Sequence, residues 1–352
     1  MSTTPTAKPK RRPRYRGTHP RRFDEKYKEL NPNKYPETVR KVIASGKTPA
    51  GSHRPICLDE ILEVLAPQPG EIAVDATLGH GGHAEEILRR ILPGGRLVGF
   101  DVDPIELPRT EARLRSTGIP EEALIICHSN FAGLPRSLAK HQLNGADLVL
   151  ADLGCSSMQF DNPERGFSYK LNGPLDLRMN PGKGQPASTL LASLNEEQLA
   201  QLLQENADEP RAALFAKAIM SAQAQAPIRT TASLARAVEK AFRSLPKQIQ
   251  EEEGTTPMRR IFQALRIAVN EEFSALDAFL RVLPVALNAG GRAAILSFHS
   301  GEDRRVKKAF QAGLRDGVFS EVARDVIRPG AEEVRANPRA ASAKLRWAIK
   351  AG

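Results

Sequence analysis

The chain has 352 residues, 41% hydrophobic and 26% charged, a length and composition expected of a soluble globular protein with one or two domains. No apolar run approaches the roughly 18 to 20 residues that a bilayer span needs, and no apolar stretch follows the basic start, which argues against a membrane protein and a secretory signal. Three cysteines without a CxxC pair exclude a disulfide framework and suggest no zinc site. We expect a cytoplasmic protein without a bound metal.

The net charge of +10 lies entirely in the N-terminal segment. Residues 1–50 contain 14 Lys and Arg against 4 Asp and Glu, and the rest of the chain is formally neutral. Such a composition cannot bury a core, so we predict a disordered basic arm over residues 1–50. Two interpretations stay open: a solubilising tail, or an arm that binds nucleic acid through counterion release.

Helical patterns alternate with apolar runs typical of buried strands along the first part of the body. The predicted elements are a helix at 58–65, a strand at 71–79, a helix at 81–91, a strand at 95–104, a helix at 109–116, and strands at 124–131 and 146–154. Continuous apolar strands separated by helices indicate a parallel sheet covered on both faces.

The strand pattern is absent from about residue 163 to residue 253, where helical segments such as 196–205 and 231–242 dominate. A long amphipathic helix is then predicted over 259–283, followed by a fifth buried strand at 292–298. The simplest architecture is a doubly wound α/β domain interrupted by a helical insertion.

Ligands of open α/β sheets bind beyond the carboxyl ends of the strands, and polar or small residues follow four of the predicted strands. The first strand leads into a glycine-rich turn, Asp75 to His83, and Asp101 follows Gly81 by 20 residues, the spacing of a carboxylate that binds ribose hydroxyls. An aspartate there also suits a helix cap, and Asp103 before Pro104 fits that role well. Phe131 follows the third strand and Asp152 the fourth.

This arrangement fits either S-adenosylmethionine or NAD as the cofactor, and the turn lacks the GKS/T of a nucleoside triphosphate site. A dehydrogenase needs a proton-relay His, Tyr or Lys near the fourth strand, whereas a methyltransferase needs a polar group for the acceptor. Asp152 favours a methyltransferase. A non-catalytic RNA-binding protein that kept the fold is a further alternative, against which the intact turn, Asp101 and Asp152 argue.

Several long motifs resemble one known family. They are HRPICLDEILEVL (53–65), DATLGHGGHAEEIL (75–88), GFDVDP (99–104), SNF (129–131), DLGCSSMQFDNPERGFSY (152–169), GPLDLRM (173–179), FQALRIAVNEE (262–272), SFHSGEDRRVK (297–307) and NPRAASAKLR (337–346). In this order they resemble the bacterial ribosomal RNA small-subunit methyltransferase H family over residues 53–346. The arm lies outside the resemblance.

The resemblance implies a Rossmann-like class I methyltransferase sheet with an inserted helical substrate-recognition domain. It assigns residues 51–169 and 256–352 to the methyltransferase domain and residues 170–255 to the insertion. It also implies methyl transfer from S-adenosylmethionine to N4 of a cytosine in the decoding centre (P-site) of 16S rRNA, with free rRNA or the small ribosomal subunit as partner. A homodimer is left open.

Carried over residue by residue, the resemblance places the cofactor contacts on Gly81, Gly82, His83, Asp101, Phe131, Asp152 and Gln159. Asp152 is also a candidate catalytic carboxylate, although it equally suits the methionine amino group. Candidate RNA contacts are Arg165, Arg178, His299, Arg339, Lys344 and Arg346; as alternatives, the arginines solvate a surface and His299 is a structural hydrogen-bonding residue. Arg54, Cys57, Cys155, Met258 and Gly301 depart from the family pattern outside the cofactor positions.

Overall fold

The computed structural model describes residues 55–352, so the basic arm predicted over residues 1–50 lies outside the described residues. The described residues form one compact unit around a seven-stranded sheet. Its strands are β1 (Ile72–Asp75), β2 (Arg96–Asp101), β3 (Leu124–His128), β4 (Ala146–Asp152), β5 (Leu287–Ser297), β6 (Phe319–Val322) and β7 (Lys344–Lys350).

Helices flank the sheet and fill the segment between β4 and β5. The helices before that segment are α1 (Leu58–Leu65), α2 (Gly82–Ile91), α3 (Leu107–Arg115) and α4 (Leu134–Lys140). Those between β4 and β5 are α5 (Ser157–Asp161), α6 (Ala187–Ser193), α7 (Glu196–Ala207), α8 (Ala212–Gln225), α9 (Thr231–Arg243), α10 (Lys247–Glu253), α11 (Thr256–Val269) and α12 (Glu272–Ala286). After β5 come α13 (Ser300–Arg315) and α14 (Ala331–Ala336).

The sheet has the order β3-β2-β1-β4-β5-β7-β6. The first five strands pair in parallel, and Asp75 at the end of β1 lies opposite Gly99 of β2 and Leu150 of β4. Their carboxyl ends therefore share one edge, and the strand order reverses between β1 and β4, where doubly wound folds bind their ligands. The predicted doubly wound, Rossmann-like α/β class is confirmed.

Both faces of the sheet are buried because its side chains alternate between two apolar cores. Val74, Val98 and Val149 pack in the core formed with α4, α12 and α13, and their neighbours Ala73 and Leu97 pack in the core formed with α1, α2 and α3. This two-sided burial explains why the strands are continuous apolar runs rather than alternating ones.

Two predictions about the C-terminal half are corrected. The helix predicted over 259–283 is two helices, α11 and α12, because Glu271 adopts a left-handed backbone (φ 51°) and the Asn270 side chain bonds a distant loop. The sheet also has two more strands than predicted, β6 and β7, which add antiparallel pairs beyond β5.

The segment between β4 and β5 has its own apolar core. Its helices bury mainly leucine, isoleucine, phenylalanine and alanine side chains, and capping boxes at Asn195 and Thr230 start α7 and α9. The boundaries predicted for an inserted domain, 170–255, stay a prediction.

Among the helices of residues 55–352, none combines the length and apolar character that crossing a bilayer requires.

Candidate cofactor and active site

The turn between β1 and α2 is fixed by side chains of α3. Thr110 donates its hydroxyl to the Gly79 carbonyl (2.5 Å), and Arg113 donates to the His80 carbonyl (2.5 Å from Nη2) while pairing with Glu85 of α2 (2.5 Å). The turn at the switch point of the sheet is therefore held by specific hydrogen bonds.

Close packing of neighbouring side chains explains why two positions of the turn are glycines. Gly81 has φ 71°, and a Cβ there would lie 3.0 Å from side-chain carbons of Leu114 and Thr110. At Gly82, a Cβ would lie 2.6 Å from the Pro55 ring. Neighbouring side chains therefore crowd a Cβ at both positions, and close approach of a ligand to these glycines stays a prediction.

Asp101 ends β2 and faces the same turn. One of its carboxylate oxygens accepts the Gly79 N–H (2.8 Å) and the other accepts the Asp103 N–H (2.8 Å). An ionised carboxylate has about four lone-pair sites, so these bonds leave room for a hydroxyl donor such as a ribose. Burial raises the pKa of Asp101, and the two N–H groups oppose that rise.

His83 and Asp152 form a pair of facing acceptors between α2 and β4. His83 Nε2 lies 3.0 Å from the Ile56 carbonyl, which can only accept, so Nε2 carries the proton and Nδ1 presents a lone pair. That Nδ1 lies 3.8 Å from an Asp152 carboxylate oxygen. Burial lowers the pKa of His83 to about 4, so the imidazole is neutral at pH 7. Two acceptors facing one space suit an N–H donor with positive charge.

Carboxyl groups accumulate at the ends of β1 and β4. Burial, with the nearby carboxylates of Asp75 and Glu302, raises the pKa of Asp152 to about 8. Burial also raises the pKa of Asp75 to about 7, against the opposing Thr77 N–H bond. Strongly shifted pKa values of neighbouring carboxyl groups are typical of functional sites.

In the Asp75→Asn variant, the free energy of unfolding of the unliganded protein is expected to fall less with rising pH than in the native protein. Because the folded state raises the pKa of Asp75 to about 7, it holds that proton more tightly than the unfolded chain does. This stabilisation is complete below about pH 4 and is lost as the pH rises through about 7. Urea unfolding at pH 5 and pH 8 should show a smaller difference in the variant; an equal difference in both proteins would contradict the assignment.

The remaining predicted cofactor residues lie along the same edge of the sheet. Phe131 follows β3 and packs edge-on against Phe279, with 5.1 Å between ring centroids. Gln159 is buried in α5; its amide donates to Asp103 (2.8 Å) and its oxygen accepts the Ser156 N–H (2.9 Å). The structure thus brings the turn, Asp101 and Asp152 together directly, and Gln159 reaches them through Asp103.

Two of the candidate RNA contacts lie in buried ion pairs. Arg165 is buried and pairs with Asp103 (2.8 Å), and Arg346 is buried and pairs with Asp303 (2.6 Å). Contact of these two arginines with RNA stays a prediction. Sequence reasoning missed the ion pairs because each partner is far away in the chain.

The other four RNA candidates also have protein partners. Arg178 pairs with Asp176 (2.7 Å), Lys344 with Asp303 (3.5 Å), and the more exposed Arg339 with Asp161 (3.0 Å). His299 caps α13: its Nδ1 accepts the Glu302 N–H (3.4 Å) and its Nε2 lies 3.1 Å from the Glu302 carboxylate. Their proposed contact with RNA stays a prediction.

A buried polar cluster at the ends of β4 and β5 is the feature that sequence reasoning missed. Arg266 of α11 pairs with Glu272 through two 2.8 Å hydrogen bonds and donates to the Cys155 sulfur (3.2 Å). Burial raises the pKa of Cys155 to about 11, so its sulfur is a neutral thiol. The arginine in FQALRIAV was the available signal, but an amphipathic helix gives no reason to expect it inside.

The donors and acceptors at this edge of the sheet fit the chemistry of S-adenosylmethionine. Asp101 offers acceptors for ribose hydroxyls, and the His83–Asp152 pair offers acceptors for the methionine ammonium. Within the described residues, no side chain caps the N-terminus of α2, so its first N–H groups are available to a carboxylate. The residues present therefore match the three polar parts of this cofactor.

Comparison with known proteins gives the family. The model of the MraW methylase family matches residues 50–351. Ribosomal RNA small subunit methyltransferase H 2 of Alkaliphilus metalliredigens is 52% identical, covering 98% of both chains. Ribosomal RNA small subunit methyltransferase H 1 of Lachnoclostridium phytofermentans is 50% identical, covering 97% of this chain and 93% of its own.

Similarity to solved structures is weaker. An rRNA methylase from Streptococcus thermophilus has a TM-score of 0.36 at 14% identity, covering 84% of this chain and 94% of its own, and these values add nothing to the assignment. The family model and the relatives establish the assignment by themselves, and they confirm the resemblance seen over residues 53–346. The Alkaliphilus relative aligns over 346 residues, so the similarity also includes most of residues 1–50, contrary to the expectation from sequence. The chain belongs to the MraW methylase family, with S-adenosylmethionine as its methyl donor.

Proposed function

We propose that the protein transfers a methyl group from S-adenosylmethionine to N4 of a cytosine in the decoding centre (P-site) of 16S rRNA. The observation that carries the proposal is a set of three carboxyl groups at the carboxyl ends of β1 and β4 and the start of α13: the buried Asp75 and Glu302 and the partly exposed Asp152. The names of the relatives, which are small-subunit ribosomal RNA methyltransferases, support the substrate class.

An amine acceptor suits these carboxyl groups. A bound S-adenosylmethionine supplies a methyl group on a cationic sulfonium, and transfer to a neutral amine moves the positive charge toward the acceptor nitrogen. Carboxylates close to that nitrogen favour the charge in its new position and offer an acceptor for the proton that N4 must lose. The protein otherwise has to align the amine with the methyl group and keep the base out of its stack.

Mass spectrometry of 16S rRNA nucleosides tests the proposal directly. Cells that lack the gene should lose N4-methylated cytidine, and the purified full chain should restore it to their rRNA or small subunits. Methylation of a different base or atom would overturn the cytosine assignment, and absence of transfer to either form of substrate would favour a non-catalytic RNA-binding protein. The described part of the chain gives no support for a homodimer, so the proposal concerns one chain.

Removing residues 1–50 is expected to weaken RNA binding and flatten its salt dependence. The segment carries the entire net charge, and each phosphate neutralised on single-stranded RNA contributes about 0.7 to the slope of log affinity against log salt. Filter-binding titrations of both proteins on one rRNA fragment measure the two slopes. S-adenosylmethionine affinity is the control and should not change. Equal slopes and affinities would show that the arm does not bind this substrate.

A further inference from the structure

A chain of hydrogen bonds joins the cofactor turn to the interior of the protein. The Gly79 N–H and the Asp103 N–H each donate to one oxygen of Asp101, both at 2.8 Å. One carboxylate oxygen of Asp103 then accepts from Gln159 and from Arg165, again both at 2.8 Å. Asp101, the predicted ribose acceptor, is therefore two bonded steps from the guanidinium of Arg165.

The same guanidinium holds a loop of the segment between β4 and β5. Arg165 Nη2 donates to the carbonyls of Arg178 (3.1 Å) and Met179 (2.8 Å), while its own carbonyl accepts the Leu177 N–H (3.2 Å). On the other side, the Asn270 amide donates to the Leu177 carbonyl (2.7 Å) and accepts the Met179 N–H (2.7 Å). Arg165 and Asn270 thus clamp one loop between them.

Leu177, the centre of this loop, has a strained backbone. Its φ of 64° lies in the left-handed region, which a leucine adopts only when its surroundings enforce it. The side chain is 1% exposed, so burial and the two clamps hold the conformation. The conformation of this loop therefore depends on the bonds that hold it from both sides.

The Asp103–Arg165 ion pair, in the middle of this chain of hydrogen bonds, is almost completely buried. Asp103 is 1% and Arg165 is 6% exposed. A buried charge that loses its partner is strongly destabilised, so the two side chains must move together. Movement of the Asp101–Asp103 backbone is consequently passed to the loop rather than absorbed by water.

We infer that Arg165 is a positioning residue that couples cofactor binding to RNA binding. Cofactor contacts on Asp101 fix the Asp103 carboxylate; Arg165 then fixes residues 177–179, and Asn270 transfers that order to α11. Each ligand therefore binds more tightly when the other is present, because thermodynamic linkage makes the effect reciprocal. This inference rests on the proposed RNA substrate.

The affinity of a decoding-region RNA fragment, measured with and without S-adenosylhomocysteine, tests the coupling in the full chain. In the native protein, the unreactive product analogue should tighten RNA binding by about fivefold or more, the lower end of ordinary allosteric coupling. In the Arg165→Lys variant the ratio should fall to about one. Lysine keeps the charge beside Asp103 but lacks the planar fork that also reaches two carbonyls.

Two further variants separate coupling from general damage. Arg292→Lys makes the same substitution in a less buried ion pair, with Glu71 at the opposite edge of the sheet, and should keep the native ratio. Asn270→Ala removes the far clamp and should lower the ratio, while the affinity for S-adenosylhomocysteine without RNA stays native. It also tests the inference if Arg165→Lys fails to fold.

The inference would be overturned if S-adenosylhomocysteine left the RNA affinity of the native protein unchanged. It would also be overturned if the Arg165→Lys and Asn270→Ala variants both showed the same tightening of RNA binding as the native protein. The nucleoside assay distinguishes failure of the proposed function from failure of the coupling. If the native protein forms N4-methylcytidine but shows no linkage, only the coupling is wrong. If it forms none on rRNA, the substrate assignment is wrong, whatever the ratio.

Discussion

The Asp152→Asn variant is expected to lose the pH dependence of S-adenosylmethionine binding between pH 6 and pH 8. Since the pKa of Asp152 is raised to about 8, the unliganded carboxyl group is neutral at pH 6 and must release its proton to hold a cationic amino group. Each pH unit below the pKa lowers the ionised fraction tenfold, so native affinity at pH 6 should be about 100-fold below its limit for the ionised form. The variant should bind weakly at both values.

Calorimetry in buffers with different heats of ionisation measures how many protons are released when the cofactor binds. On binding S-adenosylmethionine at pH 7, the native protein should release up to one more proton than Asp152→Asn. Protons released by the ligand itself are the same in both titrations and cancel in this difference. Asp147→Asn is the matched control, because Asp147 accepts bonds from Ile72 and Asn288 at the opposite edge of the sheet. A native pH profile in Asp152→Asn would show that another group titrates.

The same variant separates the two roles left open for Asp152. If it holds the methionine amino group, saturating cofactor should restore much of kcat while KM for the cofactor stays high. If it accepts the proton from N4, kcat should stay low at saturation and the pH profile of kcat should lose its acid limb. The distance of 3.8 Å to His83 favours the first role, because both acceptors then serve one ammonium.

Replacing Asp101 by alanine is expected to weaken S-adenosylmethionine binding by about 1 to 3 kcal/mol, or roughly 5-fold to 150-fold. The loss combines a ribose acceptor with the anchor of the Gly79 and Asp103 N–H groups. Titration calorimetry on the folded variant gives the value. Asp147→Ala, which removes a carboxylate from two comparable bonds elsewhere, should leave cofactor affinity unchanged.

A cofactor analogue that lacks the 2′-hydroxyl group tests whether Asp101 contacts the ribose. The native protein should bind the analogue less tightly than S-adenosylmethionine, and Asp101→Ala should bind both alike, since the partner of the missing hydroxyl is gone. If the variant still distinguishes them as strongly as the native protein does, Asp101 acts only by holding the turn.

Local sequence patterns determined the strands β1 to β5 and the edge at which the site lies. Buried parallel strands need apolar side chains on both faces, and the chain must turn at each strand end, so neighbouring residues alone indicate these elements. The glycine turn, Asp101 and Asp152 were identifiable for the same reason: each stands directly after a strand. The family motifs then placed S-adenosylmethionine there.

Only the tertiary structure decided which charged side chains are inside. Arg165 meets Asp103 across 62 residues and Arg346 meets Asp303 across 43, distances at which no periodic pattern links one residue to another. The break between α11 and α12 depends likewise on Asn270 reaching Leu177, 93 residues away. A sequence fixes local geometry through neighbours a turn or a strand apart, whereas burial of a charge depends on the partner that the fold brings to it.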